Sequence, residues 1–98
     1  MKQGEIKAVH VELEKVLNII NDRAETHGDY RENFKLISEI WSGYMDTVIS
    51  PSQVCVMMAQ LKMARDQTGD HPDHLLDAMG YILLGVLLQN REDEKGGE

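Results

Sequence analysis

The sequence predicts an all-α protein made of four helices. Four segments place apolar residues at steps of three and four, a spacing that gathers them on one face of a helix. Glycine or proline punctuates the chain between these segments, at Gly28, Pro51 and Gly69. A chain of 98 residues supports one modest hydrophobic core. We therefore expect a single helical domain over residues 1–90 and a disordered acidic tail over residues 91–98.

The first two predicted helices meet at a tight turn. The first covers about residues 5–26 and ends before Gly28, because glycine readily adopts the left-handed conformation of a C-terminal cap. The second follows Asp29, an N-cap that can form a capping box with Glu32. The apolar stripes expected to face the core are Ile6, Val9, Leu13, Val16, Leu17, Ile20 and Ala24, then Tyr30, Phe34, Ile37, Trp41 and Tyr44.

The third predicted helix has the clearest start signal in the chain. Ser50 is its N-cap, Pro51 takes the first helical position, and Gln53 completes a capping box. The helix then runs to about residue 67, where a turn centred on Gly69 follows. Its residues expected to face inward are Val54, Met57, Met58, Leu61 and Ala64.

The fourth predicted helix, from residues 71–72 to about residue 90, is apolar around nearly its whole circumference. Its apolar residues are Leu75, Leu76, Met79, Ile82, Leu83, Leu84, Val86, Leu87 and Leu88. One small bundle cannot surround its own last helix, so we expect a homodimer or homotetramer assembled through it. Gly80 and Gly85 would let another helix approach closely. The alternative is a helix sunk at the centre of a compact monomer.

Composition excludes several classes of protein. The formal net charge of -7 argues against DNA or RNA binding, because an acidic chain repels phosphate backbones. A single cysteine, Cys55, excludes an internal disulfide and suits a reducing compartment. The N-terminus lacks the pattern of a secretory signal, and the longest apolar run is too short to span a membrane. These features predict a cytoplasmic protein without a membrane partner.

Acidic residues on the fourth helix are candidate metal ligands. Asp73, Asp77 and Tyr81 recur every four residues and therefore share one stripe. A carboxylate at Asp77, beside Leu76, is costly unless it meets a cation or a metal. One interpretation is a Mg²⁺ site formed by Asp73 and Asp77, since hard divalent ions prefer carboxylate oxygens. The other is helix capping and compensation of the helix dipole, which suits Asp70 best.

Two cations of the third helix, Lys62 and Arg65, stand opposite these acids if the last two helices form an antiparallel hairpin. Lys62 then faces Asp77, and Arg65 faces Asp73. The four charges either form interhelical ion pairs or leave the cations to bind a phosphate.

Two histidines give the same region a further candidate chemistry. His71 and His74 can join Asp77 as ligands of a transition metal such as zinc, because residues three apart share one helix face. Alternatively, His71 is only a cap beside Pro72.

Motifs spread along the chain resemble those of one known group of proteins. They are His27-Gly28-Asp29, Asn33-Phe34, Ile37, Trp41-Ser42-x-Tyr44, Ser50-Pro51, Val54, Met58, Leu61-Lys62, Ala64-Arg65, His71-x-Asp73, Asp77 and Gly80-Tyr81. Together they are similar to small phage and prophage proteins of unknown function that resemble the MazG-like all-α nucleotide pyrophosphohydrolases. The resemblance covers about residues 15–88.

The resemblance implies a four-helix MazG-like bundle, a dimer or tetramer, that takes a nucleotide ligand with Mg²⁺. In the MazG-like enzymes the metal is held by E-x-x-E and E-x-x-D motifs. Asp77 matches the last residue of the second motif, but His74 replaces its glutamate. The first motif has no clear counterpart, since Glu32 is followed three residues later by Lys35.

The resemblance implies a pocket formed by Asn33, Lys62, Asp73, Asp77 and Tyr81. With the interpretation of the residues themselves, the predicted substrate-binding residues are Asn33, Lys62, Arg65 and Tyr81. The predicted metal ligands are Asp73 and Asp77, with His71 and His74 as further candidates. Two hypotheses stay open for a protein of this kind in the host cytoplasm. One is a Mg²⁺-dependent hydrolase of a nucleotide or related phosphate compound. The other is a non-catalytic helical oligomer that binds a protein or sequesters a ligand.

Overall fold

The computed structural model describes the backbone of residues 1–67 and 73–96, with side chains up to residue 92. Its helices are α1 (Gln3–His27), α2 (Tyr30–Met45), α3 (Pro51–Asp66) and α4 (His74–Gly96). No β-strand occurs in this part of the chain, so the predicted all-α class with four helices is confirmed. Within the same residues, no helix is both long enough and apolar enough to cross a lipid bilayer.

The helix ends follow the local sequence signals closely. Gly28 ends α1 with a φ of 78°, and its N–H donates to the carbonyl of Ala24. The predicted capping box at Ser50 and Gln53 forms completely at the start of α3. At the start of α2, Asp29 is the N-cap as predicted, and its carboxylate accepts the backbone N–H of Arg31.

The α3–α4 pair is an antiparallel hairpin, and contacts at both of its ends define its register. Near the connection, the Lys62 ammonium lies 3.0 Å from the Asp77 carboxylate. At the opposite end, the Ser52 hydroxyl donates to the Glu92 carboxylate at 3.0 Å. The predicted turn at Gly69 lies outside the described residues.

Residues 91–96 are helical, which corrects the predicted end of the fourth helix near residue 90. The reason is visible at Glu92. Its carboxylate accepts bonds from the hydroxyl and the backbone N–H of Ser52, in the first turn of α3, where free N–H groups favour a negative charge. Residues 97 and 98 of the predicted tail lie outside the described part of the chain.

The hydrophobic core lies where α2, α3 and α4 meet. Its fully or nearly fully buried residues are Phe34, Val54, Cys55, Leu84 and Leu88. Burial raises the pKa of the Cys55 thiol to about 12, so the thiol stays neutral and inaccessible near pH 7. Cys55 therefore acts as a small apolar core residue and not as a nucleophile.

Several apolar residues predicted to face the core are exposed. On α1 only Val16 is buried, while Ile6, Val9 and Leu13 are exposed. The Cα radius of gyration of 15.3 Å exceeds the value of about 13 Å for a compact chain of this length. The other exposed residues of these predicted stripes are Leu17, Ala24, Tyr44, Met57, Leu61 and Ala64.

One side of α4 is also open to solvent. Ala78, Leu84 and Leu88 are buried, whereas the opposite face is exposed; its members are Leu75, Met79, Ile82, Leu83, Val86 and Leu87. The alternative of a fourth helix sunk at the centre of a compact monomer is therefore wrong. Assembly through α4 stays a prediction.

Candidate functional site

A cluster of polar and aromatic side chains surrounds Arg23, near the end of α1. Its guanidinium donates one bond to the Tyr81 hydroxyl at 3.1 Å and another to the Asn33 side-chain oxygen at 3.0 Å. The guanidinium carbon also lies 4.9 Å from the centroid of the Phe34 ring and 5.1 Å from that of Tyr81. These contacts join α1, α2 and α4 and hold the guanidinium in one position.

The Arg23 guanidinium contacts neutral side chains. Both hydrogen-bond acceptors are uncharged, and the two rings attract the cation only through their π electrons. Among the residues that the structure describes, no carboxylate forms a recorded ion pair with this guanidinium. A guanidinium has five N–H donors, so Arg23 keeps donors for an oxygen-bearing anion.

Arg23 lines a cleft of about 260 Å³ between α1, α3 and α4. The charged groups on its walls are Arg23, Lys62, Asp22 and Asp77. Its remaining lining residues are Ile19, Ile20, Thr26, His27, Gly80, Tyr81 and Leu84. The cleft therefore combines two cations, two carboxylates, hydroxyl groups and an apolar floor, which suits a small polar ligand.

Lys62 and Asp77 form an ion pair across this cleft. Their side chains are only 19% and 22% exposed, and the nitrogen–oxygen distance is 3.0 Å. This confirms the predicted pairing of these two residues. Asp77 neutralises the charge of Lys62, whereas the hydrogen bonds of Arg23 go to the neutral side chains of Tyr81 and Asn33.

The magnesium site predicted at Asp73 and Asp77 stays a prediction. Mg²⁺ is usually held by one or two carboxylates together with water molecules and the phosphates of a substrate. Within residues 1–67 and 73–92, no three His, Cys, Asp or Glu side chains lie close enough together to hold a metal ion. Asp77 contacts an ammonium group, and Asp73 is exposed in the turn before α4. His74 is half-buried at the start of α4, and His71 lies outside the described residues.

The structure brings together some of the residues expected to bind a substrate. Asn33 contacts Arg23, while Lys62 and Tyr81 line the cleft. Arg65 is exposed on α3 and is not among the lining residues, so its predicted roles in phosphate binding and in pairing with Asp73 stay predictions. The roles of all these residues toward a ligand are likewise untested.

Arg23 was missed by the sequence interpretation, although the sequence contains a signal for it. Arg23 follows Ile20 by three residues and Val16 by seven, and therefore continues the apolar stripe of α1. A charged side chain on such a stripe must find polar or aromatic partners inside the fold. Asn33, Phe34 and Tyr81 are these partners.

Asp77→Asn is expected to lower the free energy of unfolding by about 2 kcal/mol, because it leaves the shielded Lys62 ammonium without its carboxylate. Urea denaturation measures this loss. The double replacement Lys62→Met with Asp77→Leu should recover most of it, since it leaves no unpaired charge. The matched control is Lys15→Ala, which breaks the exposed pair with Glu12 and should cost less than about 0.5 kcal/mol. A loss at Asp77 as small as that of the control would contradict the prediction.

Comparison with known proteins gives the chain a family. The family model described as "Domain of unknown function (DUF6378)" matches residues 12–89. The chain belongs to the DUF6378 family. All the residues that form the Arg23 cluster and the Lys62–Asp77 pair lie inside the matched segment of this DUF6378 chain. No solved structure matches it.

Two curated phage proteins are similar to this DUF6378 chain. The Gene 55 protein of Mycobacterium phage L5 is 37% identical over 84 residues, which is 84% of this chain and 53% of the phage protein. The Gene 55 protein of Mycobacterium phage D29 is 39% identical over 71 residues, or 70% of this chain and 47% of the phage protein. The chain thus spans about half the length of the curated relatives it matches. The expected likeness to phage proteins of unknown function is confirmed, and the MazG-like part stays a prediction.

Proposed function

We propose that this DUF6378 protein binds a nucleotide or a related small phosphate compound in the cleft beside Arg23. The observation that supports the proposal most directly is the half-buried Arg23 guanidinium, which stacks on two aromatic rings and bonds only to neutral acceptors. A guanidinium fixed in this way can present two parallel N–H groups to one phosphate. The resemblance to MazG-like proteins points to the same class of ligand.

The size and lining of the cleft favour a compact ligand. Its volume of about 260 Å³ lies just below the range of about 300–1,000 Å³ that is usual for small-molecule sites. Thr26 and Tyr81 offer hydroxyl groups to a sugar or phosphate, and Leu84 with Ile20 offers an apolar surface. We therefore expect a nucleoside monophosphate or a compound of similar size to fit better than a long polyphosphate.

The proposed activity is binding without hydrolysis. Hydrolysis of the MazG type uses four acidic residues to hold Mg²⁺, whereas the cleft walls present Asp22 and Asp77 among the described residues. Asp77 is already paired with Lys62. Participation of Mg²⁺ stays a proposal, which the binding experiment tests directly. The host cytoplasm as the place of action is likewise a proposal.

Calorimetric titration with nucleoside mono-, di- and triphosphates, with and without Mg²⁺, tests the proposed function. We expect saturable binding of at least one phosphate compound and no release of pyrophosphate. Arg23→Lys should weaken that binding by about tenfold or more, because lysine keeps the charge but lacks the planar fork. Lys15→Met, which removes an exposed cation that does not line the cleft, should leave the affinity unchanged.

Three outcomes would contradict the proposal. No heat of binding with any phosphate compound would exclude the cleft as a phosphate site. Binding that Arg23→Lys leaves unchanged would place the ligand elsewhere, provided that circular dichroism shows the variant folded. Pyrophosphate release that depends on Mg²⁺ would instead establish the hydrolase hypothesis.

The second candidate function is a non-catalytic protein-interaction module. The observation in its favour is the exposure of large apolar side chains on α1 and α4, such as Val9, Leu13 and Ile82. The same titration discriminates the two functions, because an interaction module without a ligand site would give no heat with any nucleotide.

A further inference from the structure

The charged groups on the walls of the cleft balance each other. Arg23 and Lys62 are the cations and Asp22 and Asp77 the carboxylates, so the formal charges sum to zero when histidine is counted as neutral. The whole chain carries a formal net charge of -7 on the same count. The attraction of this cleft for an anion therefore depends on which of its cations lack a carboxylate partner.

Lys62 already has a counter-ion in the cleft. Its ammonium group donates to the Asp77 carboxylate at 3.0 Å, and both side chains are largely shielded from solvent. A ligand that drew Lys62 away would leave the Asp77 carboxylate shielded and without its cation, which is strongly unfavourable. Lys62 is therefore not available to balance a negative charge on a ligand.

Arg23 supplies the positive charge that remains for a ligand. Its guanidinium uses N–H groups on the Tyr81 hydroxyl and the Asn33 side-chain oxygen and keeps others. Because the Tyr81 oxygen accepts from Arg23, the O–H of this cleft-lining residue is left to donate to a ligand. A phosphate beside Arg23 would thus meet one cation and one neutral donor.

Asp22 places a negative charge beside this cation. It precedes Arg23 in α1 and lines the cleft, and among the described residues its carboxylate has no recorded hydrogen bond or ion pair. A carboxylate in this position repels a second negative charge on a ligand. It can also accept a hydrogen bond from a ligand hydroxyl.

We infer that the cleft selects a phosphodiester, whose phosphate carries one negative charge, over a phosphomonoester, whose phosphate carries two. The inference rests on the proposed function and narrows its ligand to a compact nucleotide diester such as a nucleoside cyclic monophosphate. Arg23 and Tyr81 bind the free oxygens of the diester, and Asp22 accepts a bond from a sugar hydroxyl. The volume of about 260 Å³ favours the cyclic form, in which phosphate and sugar share one compact ring system.

Calorimetric titration at about pH 8 tests the inference with three ligands built on the same nucleoside. The monophosphate is a dianion at this pH, because the second pKa of a phosphomonoester is about 6, whereas its methyl ester and the cyclic monophosphate are monoanions. We expect both diesters to bind about tenfold more tightly than the monophosphate. Working at one pH keeps the protonation of the other titratable groups of the cleft, His27 and Tyr81, the same for every ligand.

Asp22→Asn tests whether the cleft walls set this preference. It should lower the ratio of diester affinity to monophosphate affinity by about fivefold or more, because it removes the charge that repels the dianion. The matched control is Glu25→Gln, which removes the same charge from an exposed position on the same helix that does not line the cleft. The control should leave the ratio unchanged, and circular dichroism should show both variants folded, since both side chains are exposed.

A monophosphate that binds as tightly as the tighter of the two diesters would overturn the inference and leave the proposed function intact. No heat with any of the three ligands would overturn both. Equal changes of the ratio in Asp22→Asn and Glu25→Gln would also overturn the inference, because the preference would then come from the net charge of the chain. Dimethyl phosphate has the same charge without a nucleoside, and its binding as tightly as the nucleotide diesters would overturn the assignment of a nucleotide.

Discussion

Phe34→Ala is expected to lower the free energy of unfolding by about 4 kcal/mol. The Phe34 ring has no solvent exposure, packs in the core between α2, α3 and α4, and meets the Tyr81 ring edge to face with centroids 6.1 Å apart. The replacement removes this packing and leaves a cavity next to Arg23. A chain of this size has a total stability of about 5–15 kcal/mol, so the variant should lose a large share of it and unfold at a clearly lower urea concentration.

Urea denaturation followed by circular dichroism measures this effect. The matched control is Tyr44→Ala, which truncates an aromatic residue of the same helix that is 87% exposed. We expect the control to change the free energy of unfolding by less than about 0.5 kcal/mol. Equal losses in the two variants would show that Phe34 is not in the core of the protein in solution.

The second large effect on stability is expected at Gly85, where α3 and α4 approach each other closely. A side-chain carbon added at Gly85 would lie 3.1 Å from the Cβ of Cys55 and 3.6 Å from the carbonyl oxygen of Ser52. Neither atom can move without moving the backbone of α3. Gly85→Val is therefore expected to lower the free energy of unfolding by about 3 kcal/mol, despite the poor helix propensity of glycine.

Two other helical glycines, Gly43 in α2 and Gly80 in α4, are controls for this prediction. A side-chain carbon at Gly43 in α2 would meet no atom within 4 Å, so Gly43→Val should leave the stability nearly unchanged. At Gly80 the nearest atoms are at ordinary contact distance, and Gly80→Ala should be tolerated. Thermal denaturation of the three variants gives the comparison. A Gly85 variant as stable as the Gly43 variant would mean that α3 and α4 are farther apart in solution.

The sequence predicted the local features of the fold because each depends on neighbouring residues. The box at Ser50 needs only short-range hydrogen bonds and forms as predicted. Gly28 ends α1 as predicted, with a positive φ of 78°, but its ψ of -152° lies outside the left-handed helical conformation that was expected. The end of α4 was predicted too early because its extension depends on Glu92 meeting Ser52, a contact between residues far apart in the sequence.

The candidate site was predictable only in part for the same reason. Spacing on two helices was enough to pair Lys62 with Asp77, once an antiparallel hairpin was assumed. The Arg23 cluster draws one residue from α1 and others from α2 and α4, and no spacing within one helix brings them together. Periodicity also cannot tell a stripe buried within one chain from one left open, as the exposed Val9 and the buried Val16 show.

The continuity of α1 has a consequence for regulation. One uninterrupted helix of 25 residues carries Arg23 near one end and the apolar residues Ile6 and Val9 near the other. A ligand held by Arg23 and a partner bound at Ile6 and Val9 would therefore contact the same helix. If binding at one end changes the affinity at the other, the effect must be reciprocal, and each binding event changes the other's equilibrium constant by the same factor.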